Sequence, residues 1–574
     1  MCGIFASVST REYQHQSGEL TQLLCNRGPD HIGQVQSKFT VKDGATYWLS
    51  FTSTVLALRG GHLTPQPFKS PTSSSVLCWN GEAWKVGQDN VEGNDGQVIF
   101  DLLLNASACK KLAWDSRIAV LEVLQSIAGP FAFFFYDAVH NQIYFGRDRL
   151  GRRSLLYNVA RYPESLEFAS VGDSIGGRWQ EVEADGVYIL SLTNGIPILG
   201  GNAEDNVLLS SITSICTVSW SSTNSDSETL SIGKFNRDIP DRTYSLNALS
   251  PSVIELRHQL NESLKLRLLN IPVPPGLDQA HNARVAILFS GGLDCTVLAR
   301  MTHDVIPIDQ EIDLLNVAFE NPRVVQAAIK AASKQPSNVY ISPYEACPDR
   351  ETGRKAFREL QDVCPDRKWR FIAINVPYAE TVEHRLRVVN LIRPHQTEMD
   401  LSIAYALYFA ARGVGVASVN QENNNFSYAT TARVLLSGLG ADELFGGYTR
   451  HATAFSRHGF PGLLDEIELD VGRLGKRNLG RDDRVISHWG KEARFPYLDE
   501  SLVKWAVERP IWDKCSFHEN GTTELLDFDP SKRVLRLLAD ELGMHNVAKE
   551  KKRAFGTRTA KMEMGNTKGT NLIS

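Results

Sequence analysis

The sequence predicts an α/β protein of two domains, and three observations carry that prediction. Residues 285–289 form an unbroken apolar run that ends in Ser290-Gly291-Gly292 and passes into helix-compatible residues from Cys295 to Met301. A parallel strand covered on both faces requires such a run. Strand patterns recur at 313–319, 338–342 and 370–376 with helical stretches between them, including one at 322–334. That alternation predicts a doubly wound parallel sheet in the C-terminal half. The first 200 residues instead read as strands joined by turns, the clearest being an apolar hairpin of residues 131–137 and 142–148.

Composition sets the frame. With 574 residues the chain can bury at least two cores, since single domains usually run to about 100–200 residues. Hydrophobic residues at 42% and charged residues at 22% exclude a fibrous or disordered chain. Lysine and arginine total 61 against 66 acidic residues, a formal charge of −5, so no basic field for nucleic acid is expected. The basic cluster at 549–553 reads as a solvated face. No apolar run has membrane-spanning length and no secretory leader is visible, so the expected compartment is cytoplasmic, without a membrane partner. Nine cysteines without CxxC spacing argue against a disulfide framework and a zinc ribbon.

Taken in order, the chain opens Met1-Cys2-Gly3-Ile4. Removal of Met1 would leave Cys2 with a thiol and a free α-amine, and an amine of pKa about 7.7–8.0 can activate its own side chain. A lone cysteine is more often a small apolar residue in a strand, so its neighbours decide. Arg27-Gly28-Pro29-Asp30 is a turn, Val76 to Trp79 runs into Asn80-Gly81-Glu82, and Gly93-Asn94-Asp95 is an acidic turn before a helical run at 97–104. Strand-like residues continue to about Gly200, and a serine- and threonine-rich stretch at 210–233 reads as a connector. Residues 250–268 are amphipathic, with Leu256, Leu260, Leu264 and Leu268 four apart, and 272–283 reads as a flexible loop.

Two strand-end turns then carry chemistry. Adjacent glycines in Ser290-Gly291-Gly292-Leu293-Asp294 let backbone approach a ligand, and the helix start beyond them offers free N–H groups to an anion. The spacing is neither Walker A nor GxGxxG, and a tight turn without ligand is the alternative. After a helix at 400–412 and a polar stretch at 420–431, Arg433 to Leu436 leads into Ser437-Gly438-Leu439-Gly440-Ala441-Asp442-Glu443. Asp294 and Asp442 each follow an apolar strand and a glycine turn, an arrangement in which two carboxylates can share Mg²⁺ on a phosphate.

The N-terminal motifs, in this order and through Gly151-Arg152-Arg153-Ser154-Leu155-Leu156-Tyr157, resemble the class II glutamine amidotransferase domain. The two C-terminal turns, with Glu492-Ala493-Arg494 and Lys551-Lys552-Arg553-Ala554-Phe555, resemble the ATP pyrophosphatase half of glutamine-hydrolysing asparagine synthetases. The whole is most like the divergent asparagine synthetase domain-containing proteins. The resemblance implies an Ntn-hydrolase-type αββα glutaminase domain over 2–200, a connector over 201–249, and an ATP pyrophosphatase domain over 250–574. It makes Cys2 the nucleophile, Asn80 and Gly81 the oxyanion hole, and Glu82 and Asp95 further glutamine-binding groups. It assigns ATP to Leu288, Ser290, Gly291, Gly292, Asp294, Cys295, Ala318, Ser437 and Gly438, Mg²⁺ to Asp294 and Asp442, and a catalytic role to Lys552.

Three positions depart from the pattern. Val55 stands where the family has an arginine for the glutamine carboxylate, with Arg59 a candidate substitute; Cys295 replaces a serine and Leu439 a glutamate. The implied reaction is ATP-dependent amidation of aspartate by glutamine through an acyl-adenylate, giving asparagine, AMP and pyrophosphate. The departures leave two alternatives open: a catalytically impaired homologue, and an amidotransferase or glutaminase with a different acceptor. Small-molecule substrates are the expected partners, and a homodimer is left open.

Overall fold

The computed structural model describes residues 2–41, 44–108, 113–158, 165–174, 179–193, 209, 215–220, 231–241, 244, 246–273, 283–322, 326, 342–419, 425–517 and 528–551. Met1, Lys552, most of the strand expected at 338–342 and most of the helix expected at 322–334 lie outside the described residues, as do most of the stretches 210–233 and 272–283. The chain forms two compact units, Met1–Ser231 with Asn390–His395 and Leu474–Lys491, and Ile232–Val389 with Gln396–Arg473 and Glu492–Ser574.

The first unit contains strands β1 (Gly3–Ser9), β2 (His31–Thr40), β3 (Thr46–Val55), β4 (Phe68–Lys69), β5 (Val76–Gly81), β6 (Lys85–Val86), β7 (Asp89–Asn90), β8 (Ile127–Ala128), β9 (Phe131–Asp137), β10 (Gln142–Arg147), β11 (Leu156–Asn158), β12 (Ser165–Ala169), β13 (Trp179–Glu181), β14 (Gly186–Ser191) and β15 (Ile215–Ser219). They form two six-stranded sheets, ordered β13-β11-β12-β1-β3-β2 and β15-β14-β10-β9-β5-β4, and a small ladder of β6, β7 and β8. Helix α1 (Gly18–Arg27) packs on β1 and β3.

Strand β9 explains its own continuous apolar sequence. Phe134 and Tyr136 join Ile4, Ala6, Phe51 and Phe168 in the core between the sheets. Phe131, Phe133 and Phe135 face the other way, onto Ile99, Phe100 and Leu103 of helix α2 (Asp95–Ser107) and Val120 and Leu124 of helix α3 (Ala113–Ser126). Alternate residues of one strand therefore serve two cores, and neither set can be polar. The layers are helix, sheet, sheet, helix, the αββα arrangement that the resemblance implied.

Behind the first sheet lies a buried charge network. Helix Leu479–Ser487 belongs to this unit and sets Asp483 Oδ2 2.8 Å from Arg27 Nη2, with Ser154 N–H donating to the same oxygen at 3.1 Å. Arg27 also donates to Ser487 Oγ at 2.5 Å and to the Cys2 carbonyl at 3.3 Å.

The second unit contains β16 (Val285–Leu288), β17 (Ile312–Phe319), β18 (Trp369–Val376), β19 (Val414–Val419), β20 (Phe426–Ala429), β21 (Val434–Leu436) and β22 (Glu492–Arg494), in the order β20-β19-β18-β17-β16-β21-β22. The five strands from β18 to β22 in that order are parallel, and β19 and β20 extend the edge antiparallel. Helix α4 (Pro251–Leu268) buries Leu256, Leu260, Leu264 and Leu268, as their spacing requires, and α5 (Leu293–Val305) follows β16. From β16 the chain moves outward to β17 and β18 on one side and later to β21 and β22 on the other. The topological switch therefore lies between β16 and β21, where open α/β sheets bind ligands beyond their carboxyl ends.

Two elements differ from the sequence reading. Residues 426–429 of the expected polar stretch are strand β20, whose exposed edge position needs no apolar alternation. Residues 492–494, for which the sequence carried no strand expectation, are the last parallel strand, and the 3₁₀ segment Pro496–Leu498 follows. Among the described residues no helix is long and apolar enough to cross a membrane.

Removing Asp483 would leave the Arg27 guanidinium buried without its carboxylate. Asp483→Ala is expected to destabilise the protein by about 3–5 kcal/mol, read as a fall in the urea unfolding midpoint, whereas a loss below about 1 kcal/mol would exclude a structural role for the pair.

Candidate active sites

In the first unit the site is built at one end of β1 and β5. Cys2, just before β1, is 9% exposed, and its main-chain N–H donates to Asn80 Oδ1 at 3.1 Å. That bond fixes the Asn80 carboxamide and turns its Nδ2 away. Nδ2 is buried and has no hydrogen-bond partner among the described residues. A buried donor left in this state costs about 1–3 kcal/mol, so this fixed donor, on a residue bonded to the Cys2 main chain, is a position suited to an acceptor. Gly3 N–H donates to Thr54 Oγ1 at 3.0 Å, and Thr54 donates to the Leu24 carbonyl at 2.6 Å, which anchors the start of β1 on β3 and α1.

The loop after β5 carries the other expected groups. Asp95 Oδ2 accepts from Trp79 Nε1 and from Ala83 N–H, each at 2.9 Å. Burial pushes the Asp95 carboxyl above the usual carboxylate range, against the pull of the Arg59 charge and of these donors. Glu82 Oε2 lies 3.7 Å from Arg59 Nε. Arg59 donates to the Ala83 carbonyl at 2.7 Å and to the Val91 carbonyl, so its guanidinium braces this loop. Val55 is buried at the end of β3, and Asp30 below it holds Ala57 N–H at 2.8 Å.

Sequence reasoning missed Gln66 here. Its Nε2 is 3.7 Å from Cys2 Sγ, and its Oε1 accepts Trp79 N–H at 3.0 Å. A Gln-Pro pair in a polar loop carries no signal of that contact.

In the second unit the two turns meet at the switch point. Leu288 at the end of β16, Ser290, Gly292 and Asp294 after it, and Ser437, Gly438, Leu439 and Asp442 after β21, are all partly exposed. Ala318 is buried in β17. The two glycines of the first turn have different reasons. Gly291 is at φ 78° and a Cβ there would lie 2.5 Å from Gly353 Cα, so it is a packing glycine; at Gly292 a Cβ would meet only Ser290 Oγ at 3.4 Å. The open side of the turn is thus at Gly292. Cys295 turns inward, donating to the Gly292 carbonyl at 3.3 Å, and burial pushes its thiol up.

Asp294 and Asp442 converge on one cation, the Lys532 ammonium. Nζ is 2.7 Å from both Asp294 oxygens and 2.6 Å from Asp442 Oδ1. Burial alone would lower the lysine's proton affinity, but the two carboxylates more than reverse this and hold it well above its ordinary range. Lys532 reaches them from a left-handed backbone, φ 52°, just before helix Arg533–Glu541. Gly447 makes room: a Cβ there would lie 2.0 Å from Asp442 Oδ1 and 2.3 Å from Lys532 Cε. Next to Asp442, burial and that neighbouring charge raise Glu443 to about 7, while Tyr448 OH donates to it at 2.5 Å. Sequence reasoning missed Lys532, which precedes a helix 238 positions from Asp294 and belongs to no motif. Lys552 lies outside the described residues.

Comparison with known proteins matches two families along the chain. Residues 1–194 match the glutamine amidotransferase domain family, and residues 426–465 and 462–568 match the asparagine synthase family. The asparagine synthetase domain-containing protein 1 of Homo sapiens is 35% identical over 100% of this chain and 97% of its own length. The Mus musculus protein of the same name is 35% identical over 100% of this chain and 99% of its own. The Saccharomyces cerevisiae protein named asparagine synthetase [glutamine-hydrolyzing] 1 is 22% identical over 95% of this chain and 81% of its own. Matched along its whole length at this identity, and carrying an amidotransferase domain ahead of an asparagine synthase region, the chain belongs to the asparagine synthetase domain-containing protein family.

Proposed function

We propose that this protein is an ATP-dependent, glutamine-hydrolysing amidotransferase that makes asparagine from aspartate through an acyl-adenylate, releasing AMP and pyrophosphate. The observation that carries the reading is the coexistence in one chain of a Cys2–Asn80 pair with an unfilled buried donor and two carboxylates gathered around one cation at the switch point. Each supplies what the other lacks, nitrogen on one side and an activated carboxylate on the other.

With Met1 removed, the nitrogen that donates to Asn80 Oδ1 is the α-amine of Cys2. Cys2 Sγ attacks the side-chain amide carbon of glutamine; the S–C bond forms, the C–N bond breaks, and the thiol proton passes through the α-amine to the leaving nitrogen as ammonia. Water then cleaves the thioester, giving glutamate and returning the proton to sulfur. Asn80 Nδ2 and the Gly81 N–H take the oxyanion in both steps. Glu82 and Asp95 shape the pocket for the α-amino end of glutamine, Asp95 through the loop that it holds.

At the second site the turns Ser290 to Gly292 and Ser437 to Gly438 receive the phosphates, and Leu288 and Ala318 lie on the base side. Cys295 supports the turn from within. Asp294 and Asp442 already collect around a cation and fit Mg²⁺, which when bound would neutralise phosphate charge. Lys532, released from them, is then a donor to phosphate, and Lys552 would steady charge on the adenylate.

A second reading, an ATP-binding homologue with impaired glutamine hydrolysis, is favoured by one observation. Val55 leaves the glutamine carboxylate without its usual guanidinium, and Arg59 is engaged with the Ala83 and Val91 carbonyls. Purified protein given glutamine, aspartate and ATP-Mg²⁺ separates the readings. AMP and pyrophosphate formed only with aspartate support the leading one. ATP binding without AMP supports the second, and glutamate release without aspartate-dependent AMP indicates another acceptor.

Two substitutions divide the sites. Asn80→Ala is expected to lower kcat for glutamine hydrolysis by about 10²–10³-fold while ammonia-dependent AMP formation persists. Lys532→Met is expected to do the reverse, lowering AMP formation at least about 100-fold with glutamate release from glutamine within about twofold of the parent. Equal loss of both activities in either variant would mean that the substitution acted on folding.

A further inference from the structure

The hydrogen bonds around Gln66 assign a role that lies beyond the nucleophile and its oxyanion hole. A carboxamide can present either oxygen or nitrogen to a neighbour, and the surrounding network decides which. Trp79 N–H can only donate, and it lies 3.0 Å from Gln66 Oε1. The oxygen is thereby committed, and the NH₂ group is the end that faces Cys2 Sγ, at 3.7 Å. Gln66 is 5% exposed, so water does not compete freely for either end.

We propose that Gln66 is a catalytic residue of the glutaminase site, an N–H donor to the Cys2 thiolate. The proposal rests on the reading of Cys2 as nucleophile. A donor to sulfur is worth most when the sulfur is negatively charged, because charge-assisted hydrogen bonds are roughly twice as strong as neutral ones. The thiolate occurs twice in the cycle. It is the attacking species, and it is the leaving group when water cleaves the thioester, where a stabilised thiolate departs faster. The bond also has a positional consequence. Trp79 is the residue before Asn80 on β5, so one carboxamide spans from the nucleophile to the strand that carries the oxyanion donor. The gap between sulfur and Asn80 is then set by two short side-chain contacts and not by the loop that carries Gln66.

Two variants and two readouts test this. Gln66→Glu keeps the shape and the acceptor for Trp79 N–H but removes the NH₂ group, while Gln66→Met removes both partners. The first readout is alkylation of Cys2 by iodoacetamide at pH 7, followed by mass spectrometry of the N-terminal peptide, with circular dichroism confirming the fold. Both variants are expected to alkylate at least about tenfold more slowly than the parent. The second is glutamine hydrolysis, where kcat is expected to fall about tenfold in Gln66→Glu with KM within about twofold. Alkylation of folded Gln66→Glu within twofold of the parent would overturn the proposal. If the parent itself releases no glutamate, the nucleophile reading has failed, and the alkylation comparison still decides whether Gln66 acts on the sulfur.

Discussion

Burial on both faces of its central sheets is the constraint from which the remaining features of this protein follow. In β9 the odd and even positions feed different cores, and in β16 to β18 both faces are covered, so almost no polar side chain can stand in the middle of a strand. Chemistry is thereby pushed to strand ends. Cys2 precedes β1, Asn80 and Gly81 close β5, Ser290 follows β16 and Ser437 follows β21. Asn316, a polar residue inside β17, is tied down by Phe289 O at 2.9 Å and by Arg350 at 2.7 Å.

The two sites use opposite electrostatics. Around Cys2 the groups are mostly neutral donors and acceptors with fixed polarity, suited to a charge that appears only during acyl transfer. At the switch point three full charges are gathered within hydrogen-bond distance before any ligand arrives. Two carboxylates so close would repel each other, and Lys532 removes that penalty in the free protein while keeping both in place.

Arginine does much of the internal work in the first unit. Arg27 reaches the Cys2 carbonyl and Asp483, and Arg484 reaches Glu181 Oε1 at 2.6 Å and Ser154 Oγ at 2.8 Å. Burial opposes the charge on Glu181, yet the guanidinium groups of Arg484 and Arg147 hold its carboxyl far below the carboxylate range. Each of these charges is costly alone and acceptable only because fixed partners surround it. Residues 474–491, far along the chain, supply part of that shell to the first unit.

What the sequence determined by itself is whatever depends on neighbours in the chain: the apolar runs of β9, β16 and β17, the four-residue spacing of α4, and the glycine turns after β16 and β21. Periodicity and turn chemistry are local, so they can be read without coordinates. The exposed edge strand β20 and the three-residue β22 escaped that reading because neither has a pattern that solvent or length would enforce. Only the tertiary structure decided that Gln66 faces Cys2, that Lys532 joins Asp294 to Asp442, and that Arg59 serves carbonyls of its own loop. Those are contacts between residues that no local rule relates, and their partners are chosen by which groups burial leaves unpaired once the layers have closed.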